Sequence, residues 1–242
     1  MDYDLNVLEQ GCEELGITLN EVQKQQFITF YEYLVEKNKV MNLTAITEFD
    51  EVIEKHFLDS LSLIRVIPDI ASQKLTVIDL GTGAGFPGIP LKIAFPELEI
   101  TLMDSLNKRI LFLQEVIDAL GQKKVSAVHG RAEEMSSNAT HRQQYDLCVS
   151  RAVSNLAVLT EYCLPFVKKG GLFVSYKSAD SDAEIQEGKK AISILGGKLT
   201  SVDKFQLPDS DLRRALVCIK KVKDTPKKYP RKAGTPAKLP LK

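Results

Sequence analysis

From about residue 75 onward, short apolar runs rich in β-branched residues alternate with segments long enough to form helices, the clearest being 108–120 and 156–167. Strands buried on both faces appear as continuous apolar runs, and their alternation with helices produces a parallel sheet with right-handed crossovers. Two final strand-like runs have no long helix between them, which predicts an antiparallel excursion at one sheet edge. We therefore predict an α/β fold with a mostly parallel seven-stranded sheet. The predicted strands are 75–80, 100–103, 125–129, 147–150, 172–176, 198–205 and 214–220.

The residues before this pattern are helical in character. Phe27, Phe30, Tyr31 and Leu34 recur at the spacing of one face of an amphipathic helix. The chain beyond residue 222 contains four prolines and is poor material for regular structure. We therefore predict three parts: an N-terminal helical extension packed on the core (1–70), a central domain (71–222) and a basic, proline-rich C-terminal tail (223–242).

Basic residues are concentrated at the C-terminus. The whole chain has 32 basic and 32 acidic residues, but nine bases and one acid fall within 220–242. This segment therefore carries +8, which leaves −8 on residues 1–219. A basic segment on an otherwise acidic protein favours a polyanionic partner, with nucleic acid the first candidate, although a solvated tail has the same composition.

The remaining composition argues against several classes of protein. No apolar run approaches the roughly 20 residues that span a bilayer, and the N-terminus carries acids where a signal peptide has bases. We therefore expect a cytoplasmic protein with no membrane partner. The four cysteines and three histidines are scattered, so neither a disulfide framework nor a metal site is expected.

The stretch V-I-D-L-G-T-G-A-G-F-P-G follows the first predicted strand, with glycine at positions 81, 83 and 85. Ligands of open α/β sheets bind at such turns, where glycine lets them approach the backbone. Residues 83–88 match the dinucleotide pattern G-x-G-x-x-G, but this turn already begins at Gly81 and Pro87 stands at the helix start. This register resembles motif I of class I S-adenosylmethionine-dependent methyltransferases. Asp79 is then expected to face the ammonium group of that cofactor.

Charged residues follow the next strands. Asp104 ends the second strand, where an acid accepts hydrogen bonds from ribose hydroxyls in methyltransferases and NAD enzymes alike. The third strand leads into 130–133, the loop that lies beside adenine in class I methyltransferases, although Glu133 also fits an exposed acid at a helix start. Arg151 ends the fourth strand and Lys177 the fifth, and each fits either a contact to a carboxylate or phosphate or a surface ion pair.

The fourth strand bears on the methyl acceptor. It lacks the N-P-P-Y/F pattern typical of adenine amino-group methylation, and Cys148 lies in mid-strand without the preceding proline typical of pyrimidine C5 methylation. Guanine N7 has an exposed, unprotonated lone pair, so its methylation needs neither the N-P-P-Y/F pattern nor a nucleophilic cysteine. The sequence is compatible with this acceptor, and we assign no catalytic residue.

Longer motifs give a more specific resemblance. The chain resembles the bacterial ribosomal RNA small subunit methyltransferase G family, formerly called glucose-inhibited division protein B, over nearly its whole length. The proline-bearing extension of the glycine turn and the closing motif are its most specific parts. The motifs are N-L-T-A-I (42–46), H-F-L-D-S-L (56–61), the glycine turn (79–91), G-R-A-E-E (130–134), S-R-A-V (150–153) and Y-P-R-K-A-G-T-P (229–236).

This resemblance implies S-adenosylmethionine-dependent methylation of N7 of one guanine, guanine 527 in the 530 loop of 16S rRNA. It implies that Gly81 and Phe86 contact the cofactor, that Ala132 and Glu133 flank its adenine, and that Arg151 completes the site. The expected substrate form is the 30S subunit or an assembly intermediate, and the enzyme is expected to be a monomer. The candidate cofactor-binding residues are Asp79, Gly81, Gly83, Gly85, Phe86, Asp104, Ala132, Glu133 and Arg151.

The resemblance also makes the tail a candidate RNA-binding element, with bases on phosphates and Tyr229 stacked on a nucleobase. Neutralising four tail bases is predicted to weaken RNA binding and leave cofactor affinity intact. The alternatives that stay open are a methyltransferase for a small molecule or protein, a dinucleotide-dependent oxidoreductase and a non-catalytic RNA-binding protein. The candidate RNA-binding residues are Lys177, Lys227, Lys228, Tyr229, Arg231 and Lys232.

Overall fold

The computed structural model describes residues 3–152, 154–208 and 210–241; Val153, the last position of the S-R-A-V motif, lies outside these ranges. One seven-stranded sheet runs through the molecule. Its strands are β1 (Thr76–Leu80), β2 (Glu99–Asp104), β3 (Val125–His129), β4 (Tyr145–Ser150), β5 (Val167–Ser178), β6 (Gly197–Gln206) and β7 (Arg213–Lys221).

The sheet has the order β3-β2-β1-β4-β5-β7-β6. Neighbours from β3 to β5 pair in parallel, whereas β7 pairs antiparallel with both β5 and β6. The antiparallel excursion predicted from the sequence is confirmed, with β7 inserted one position in from the edge. The strand order reverses at β1, which lies next to both β2 and β4, so β1 marks the topological switch point.

Helices cover both faces of the sheet. The predicted helix at 156–167 ends four residues early, at Cys163, and a 3₁₀ turn, Leu164–Phe166, carries the chain into β5. Pro165 accounts for this change, because proline removes a backbone donor and its ring blocks continuation of an α-helix. The α-helices are α1 (Asn6–Glu14), α2 (Glu21–Met41), α3 (Phe49–Val52), α4 (Asp59–Leu61), α5 (Gly88–Ala94), α6 (Asn107–Ala119), α7 (Ala132–Met135), α8 (Leu156–Cys163), α9 (Asp182–Ile194) and α10 (Thr235–Lys238).

The N-terminal helices share a core with the sheet. Phe27, Phe30 and Leu34 on α2 are fully buried in the same apolar cluster as residues of α5 and α6. A π-helical turn, Ile53–Leu58, joins α3 to α4 and places His56 and Asp59 toward the carboxyl end of the parallel strands. The helices α2 and α4 thus contact α5, and the H-F-L-D-S-L motif lies at the carboxyl edge of the parallel strands.

The C-terminal tail also packs against the sheet domain. Its short helix α10 lies against α8, and Thr225, Tyr229 and Pro236 are buried. The sequence boundary at residue 222 is therefore a change in composition and not a break in packing. Within the described ranges, no helix is long and apolar enough to cross a bilayer.

Candidate functional site

Two cavities adjoin at the carboxyl edge of the parallel strands. The smaller, of about 500 Å³, lies over the ends of β1, β2 and β3 and includes Gly81, Asp104 and Glu133 in its walls. The larger, of about 950 Å³, lies between the N-terminal helices and the ends of β5 and β7. Ala152 and Ser154, just after β4, line both cavities. The loop after β4 is therefore the place where ligands in the two cavities would meet.

The glycine turn shapes the floor of the smaller cavity. Gly81 has φ +72°, and a Cβ atom added to it would lie 3.3 Å from the Cβ of Ala152. A side chain here would therefore carry backbone strain and crowd the entrance to the shared loop. The backbone N–H of Gly83 donates to Asp104 Oδ2 at 3.0 Å, which ties the turn to the end of β2.

Asp79 lies beneath this turn. Its Oδ2 accepts from Thr82 Oγ1 at 2.6 Å and from the N–H of Gly88 at 2.8 Å. The expectation that Asp79 faces a cofactor ammonium does not fit this position. The fully buried carboxyl group instead accepts hydrogen bonds from the glycine turn and from the start of α5. Burial raises its pKa to about 7. Its Oδ1 has no hydrogen-bond partner among the described residues, and the residue does not appear in the lining of the smaller cavity.

Asp104 is the buried acceptor in the wall of the smaller cavity. It is 4% exposed, and it accepts from the N–H of Leu106 at 2.9 Å and from Arg109 Nη1 at 3.1 Å. These hydrogen bonds restrain the orientation of the carboxylate at the end of β2, where ribose recognition is predicted. Arg109, which the motif analysis did not single out, could have been anticipated from its place in the first turn of α6.

The loop after β3 closes the opposite side of the smaller cavity. Ala132 and Glu133 line it, as does Tyr162 from α8. Glu133 Oε1 accepts from the N–H of Gly234 at 3.0 Å, so this side chain also binds the tail. The loop predicted to lie beside adenine therefore forms part of the wall of the smaller cavity.

The structure divides the predicted cofactor-binding residues into two sets. Gly81, Asp104, Ala132 and Glu133 line the smaller cavity, which supports their assignment. Asp79, Gly83, Gly85 and Phe86 belong to the turn or the packing beneath it and do not appear in the described lining of that cavity. Phe86, 6% exposed, packs on Phe30 and Phe57, so the direct cofactor contact expected of it is replaced by a contact with the N-terminal helices.

Arg151 lines the larger cavity and not the smaller one, to which the predicted cofactor site is assigned. Its Nη1 donates to Asp59 Oδ2 at 2.8 Å and to the carbonyl of Lys55 at 3.1 Å. Its guanidinium carbon stacks 4.9 Å above the Phe86 ring. Arg214 pairs with the other Asp59 oxygen, its Nε lying 3.1 Å from Oδ1. One buried carboxylate therefore holds two arginines.

His56 is placed between these charges. Its Nε2 lies 2.8 Å from Thr44 Oγ1, and its Nδ1 lies 3.1 Å from Arg151 Nη2. Burial, together with the positive charge of Arg151, lowers the pKa of His56 to about 3. The imidazole is therefore neutral across the physiological pH range. His56, Asp59 and Arg214 were not assigned to the site from sequence, although the H-F-L-D-S-L motif signalled the first two.

Lys177 is held inside the larger cavity. Its Nζ donates to the carbonyl of Ser154 at 2.5 Å and lies 2.6 Å from Glu184 Oε1, and its side chain is 10% exposed. Lys177 therefore supports the shared loop after β4 and is not presented to solvent as the RNA-binding prediction expected. The charged side chains of this cavity still carry an excess of positive charge. They are Lys55, Arg151, Lys177 and Arg214 against Asp59 and Glu184.

The tail candidates also fall into two sets. Lys227, Lys228 and Lys232 are exposed, as an RNA-binding role requires. Tyr229 is 8% exposed and belongs to the apolar core cluster that includes residues of α8 and α9, so the prediction that it stacks on a nucleobase does not fit its position. Arg231 pairs with Glu161, which is fully buried on α8. The structure thus assigns Tyr229 and Arg231 to anchoring the tail.

No three His, Cys, Asp or Glu side chains are placed to hold a metal ion in the described ranges. The two cavities instead offer features of a nucleoside site and of a positively lined acceptor site. The buried acceptor of Asp104, the open approach at Gly81 and the loop at Glu133 fit S-adenosylmethionine.

Comparison with known proteins points to the same chemistry. The family model described as rRNA small subunit methyltransferase G matches residues 23–217. A protein named ribosomal RNA small subunit methyltransferase G from Lachnoclostridium phytofermentans is 55% identical over 98% of each chain. One of the same name from Alkaliphilus metalliredigens is 54% identical, also over 98% of each chain.

Solved structures share the fold at low sequence identity. TYW2 from M. jannaschii, solved in complex with AdoMet, aligns with a TM-score of 0.50 at 14% identity over 66% of this chain and 76% of its own. A mutant of MtNAS aligns with a TM-score of 0.55 at 12% identity over 90% of this chain and 86% of its own.

Because the family model matches most of the chain and the two relatives match nearly all of it, the chain belongs to the family of ribosomal RNA small subunit methyltransferase G. Enzymes of this family methylate small-subunit rRNA with S-adenosylmethionine.

Proposed function

We propose that this enzyme methylates N7 of guanine 527 in the 530 loop of 16S rRNA, within the 30S subunit or an assembly intermediate. The observation that carries the proposal is the pair of adjoining cavities that share Ala152 and Ser154. The smaller would hold the cofactor, and the larger would receive the guanine after it leaves its base stack. A volume of about 950 Å³ and a positive lining suit one nucleotide with its phosphate.

When bound, S-adenosylmethionine supplies a methyl group for direct displacement by a nucleophile. The protein's own contribution is alignment of the acceptor with that group. Asp104 and Glu133 would hold the cofactor, and the cation-rich wall formed by Arg151 and Arg214 would orient the guanine. Lys177 fixes the loop between them through the carbonyl of Ser154.

The neutral state of His56 bears on the acceptor atom. Guanine N7 carries no proton, so its methylation requires no general base. His56 has a pKa of about 3 and is flanked by the Thr44 hydroxyl and the Arg151 guanidinium. With so low a pKa, His56 is too weak a base to deprotonate an acceptor at neutral pH. This supports an acceptor that needs no deprotonation. We further propose that the enzyme acts as a monomer in the cytoplasm.

Methyl transfer to 30S subunits isolated from cells that lack this gene tests the proposal. Radiolabelled S-adenosylmethionine supplies the label, and borohydride–aniline cleavage maps 7-methylguanine. We expect cleavage at guanine 527 alone. Label without cleavage at that site would replace N7 or this guanine with another acceptor in rRNA. Label on free nucleosides at an equal rate would instead support a small-molecule methyltransferase.

A further inference from the structure

The chain after β7 runs over α8 and ends against the smaller cavity. We call residues 225–241 the C-terminal strap. Its first anchor is Thr225. The hydroxyl of Thr225 accepts a hydrogen bond from Nζ of the buried Lys221 and donates one to the carbonyl of Leu195 at 2.8 Å. Its second is Arg142, which donates to the carbonyl of Thr225 at 2.9 Å and to that of Tyr229 at 3.0 Å.

The third anchor is an ion pair with unusual burial. Glu161 on α8 is 0% exposed, and the Arg231 guanidinium binds both oxygens of its carboxylate. Arg231 Nε lies 2.9 Å from Oε1, and Nη2 lies 2.6 Å from Oε2. The backbone N–H of Arg231 adds a third bond to Oε1 at 2.8 Å. A buried carboxylate is costly without its cation, so Glu161 holds the strap in place.

The strap reaches the cofactor cavity three residues beyond this pair. The N–H of Gly234 donates to Glu133 Oε1, and Gly234 and Ala237 both line the cavity. Tyr162, which also lines it, directly follows Glu161 on α8. The ion pair therefore joins two parts of one cavity wall, namely the strap just before α10 and the α8 residue Tyr162, and the strap in turn donates a hydrogen bond to Glu133.

We propose that Glu161 and Arg231 form a positioning pair for cofactor binding, acting through the strap and Glu133 without touching the cofactor. This inference rests on the proposed placement of S-adenosylmethionine in the smaller cavity. It also changes the prediction made from sequence for the tail. Neutralising Arg231 is now expected to weaken cofactor binding, whereas neutralising the exposed Lys227, Lys228 and Lys232 is not.

The test measures binding of S-adenosylhomocysteine to the full-length protein by calorimetry. We expect Arg231→Gln to raise the Kd about tenfold, which corresponds to the loss of about one charge-assisted hydrogen bond. Arg231→Lys keeps the charge and one of the bonds, so a smaller increase of about threefold is expected. Arg213→Gln is the matched control, because this arginine is exposed on β7 outside both cavities.

Two further measurements separate positioning from general loss of structure. Thermal unfolding identifies folded variants, and Arg231→Lys keeps the test usable if Arg231→Gln does not fold. In methylation assays, the KM for S-adenosylmethionine should rise with a smaller change in kcat. An Arg231→Gln protein that is folded and binds S-adenosylhomocysteine within twofold of the wild type would overturn the inference, as would a Kd unchanged in Arg231→Lys when Arg231→Gln is unfolded.

Asp104→Asn distinguishes this inference from the placement on which it rests. If Asp104→Asn loses affinity and folded Arg231→Gln does not, the cavity assignment stands and the positioning pair is wrong. If Asp104→Asn binds S-adenosylhomocysteine as the wild type does, the cavity assignment itself fails, and the inference fails with it.

Discussion

Asp79 and His56 are buried groups whose pKa values are displaced in opposite directions. Burial raises the pKa of Asp79 to about 7, so its contribution to stability is present at low pH and is lost as pH rises through about 7. Burial lowers the pKa of His56 to about 3, so its contribution is present above the unfolded pKa of 6.5 and is lost as pH falls toward 3. Between pH 5 and 6.5 the two effects oppose each other.

Single substitutions should separate these two effects. In Asp79→Asn, the free energy of unfolding should rise more steeply with pH between 5 and 6.5 than in the wild type, by at most about 1.4 kcal/mol per pH unit, because the opposing effect of Asp79 is removed. In His56→Gln the slope should be lower than in the wild type by at most a similar amount, because the effect of His56 is removed. Urea unfolding at several pH values measures both slopes. Two variants with the same slope as the wild type would contradict the assigned pKa shifts.

Asp104 is the residue on which the cofactor assignment depends most directly. Asp104→Asn replaces one acceptor oxygen by a donor that faces the N–H groups of Gly83 and Leu106 or a ligand hydroxyl. We expect the Kd for S-adenosylhomocysteine to rise by about 10- to 100-fold, as for loss of one or two hydrogen bonds to a charged group. Asp118→Asn, an exposed acid on α6, is the control and should bind as the wild type does.

At the scale of elements, the start of α5 is packed tightly onto β1 and β2. A Cβ atom at Gly88 would lie 2.2 Å from Leu102 Cδ2 and 2.8 Å from Asp79 Oδ2. The helix can therefore approach the strands only where residue 88 has no side chain. This contact sets the height of the glycine turn above the sheet, and so the floor of the cofactor cavity.

Substitution of Gly88 tests this packing. Gly88→Ala should lower the free energy of unfolding by about 1–3 kcal/mol, the usual cost of overpacking. Gly121→Ala is the comparison, because its Cβ atom would have nothing within 4 Å and only its φ of +60° is unfavourable. Urea denaturation of both variants measures the two losses in free energy of unfolding. A larger loss for Gly121→Ala would show that close packing at residue 88 is not limiting.

At the scale of the molecule, charge is distributed so that the strap and the larger cavity are basic while the rest of the chain is acidic. The exposed Lys227, Lys228 and Lys232 lie on the strap whose far end lines the cofactor cavity. The interface proposed for rRNA would therefore extend from the larger cavity to the outer surface of the strap. Its contribution should depend strongly on salt, as phosphate contacts do.

Replacement of these three lysines by glutamine should weaken rRNA binding and reduce the slope of log Kd against log salt by up to about 3. The Kd for S-adenosylhomocysteine should stay unchanged, because these side chains are exposed and lie outside the described cavity lining. Filter binding to a 530-loop fragment across a salt series measures the slope. The control replaces Lys189, Lys190 and Lys198, which are exposed elsewhere. An equal change in the control would remove the strap from the interface.

The strand positions were predictable because local sequence carries them. Continuous apolar runs predicted all seven strands, and the glycine turn predicted the ligand edge. Strand ends were less accurate. β5 begins at Val167 and not at residue 172, because Val167 pairs with Tyr145 across a register shift that no local pattern reveals.

The sequence by itself determined the fold class, the family and the register of the glycine turn, because these depend on periodicity and on contiguous motifs. Only the tertiary structure decided which charges pair and which residues line each cavity. Arg151 meets Asp59 from 92 positions away, Glu161 meets Arg231 from 70, and Glu133 meets Gly234 from 101. Such pairs form because a buried charge or acceptor must find a partner in space. For that reason Lys177 and Arg231, each predicted to contact RNA, pair with Glu184 and Glu161 of the protein itself, and Arg151 lies beside Asp59 in the larger cavity and outside the cofactor cavity.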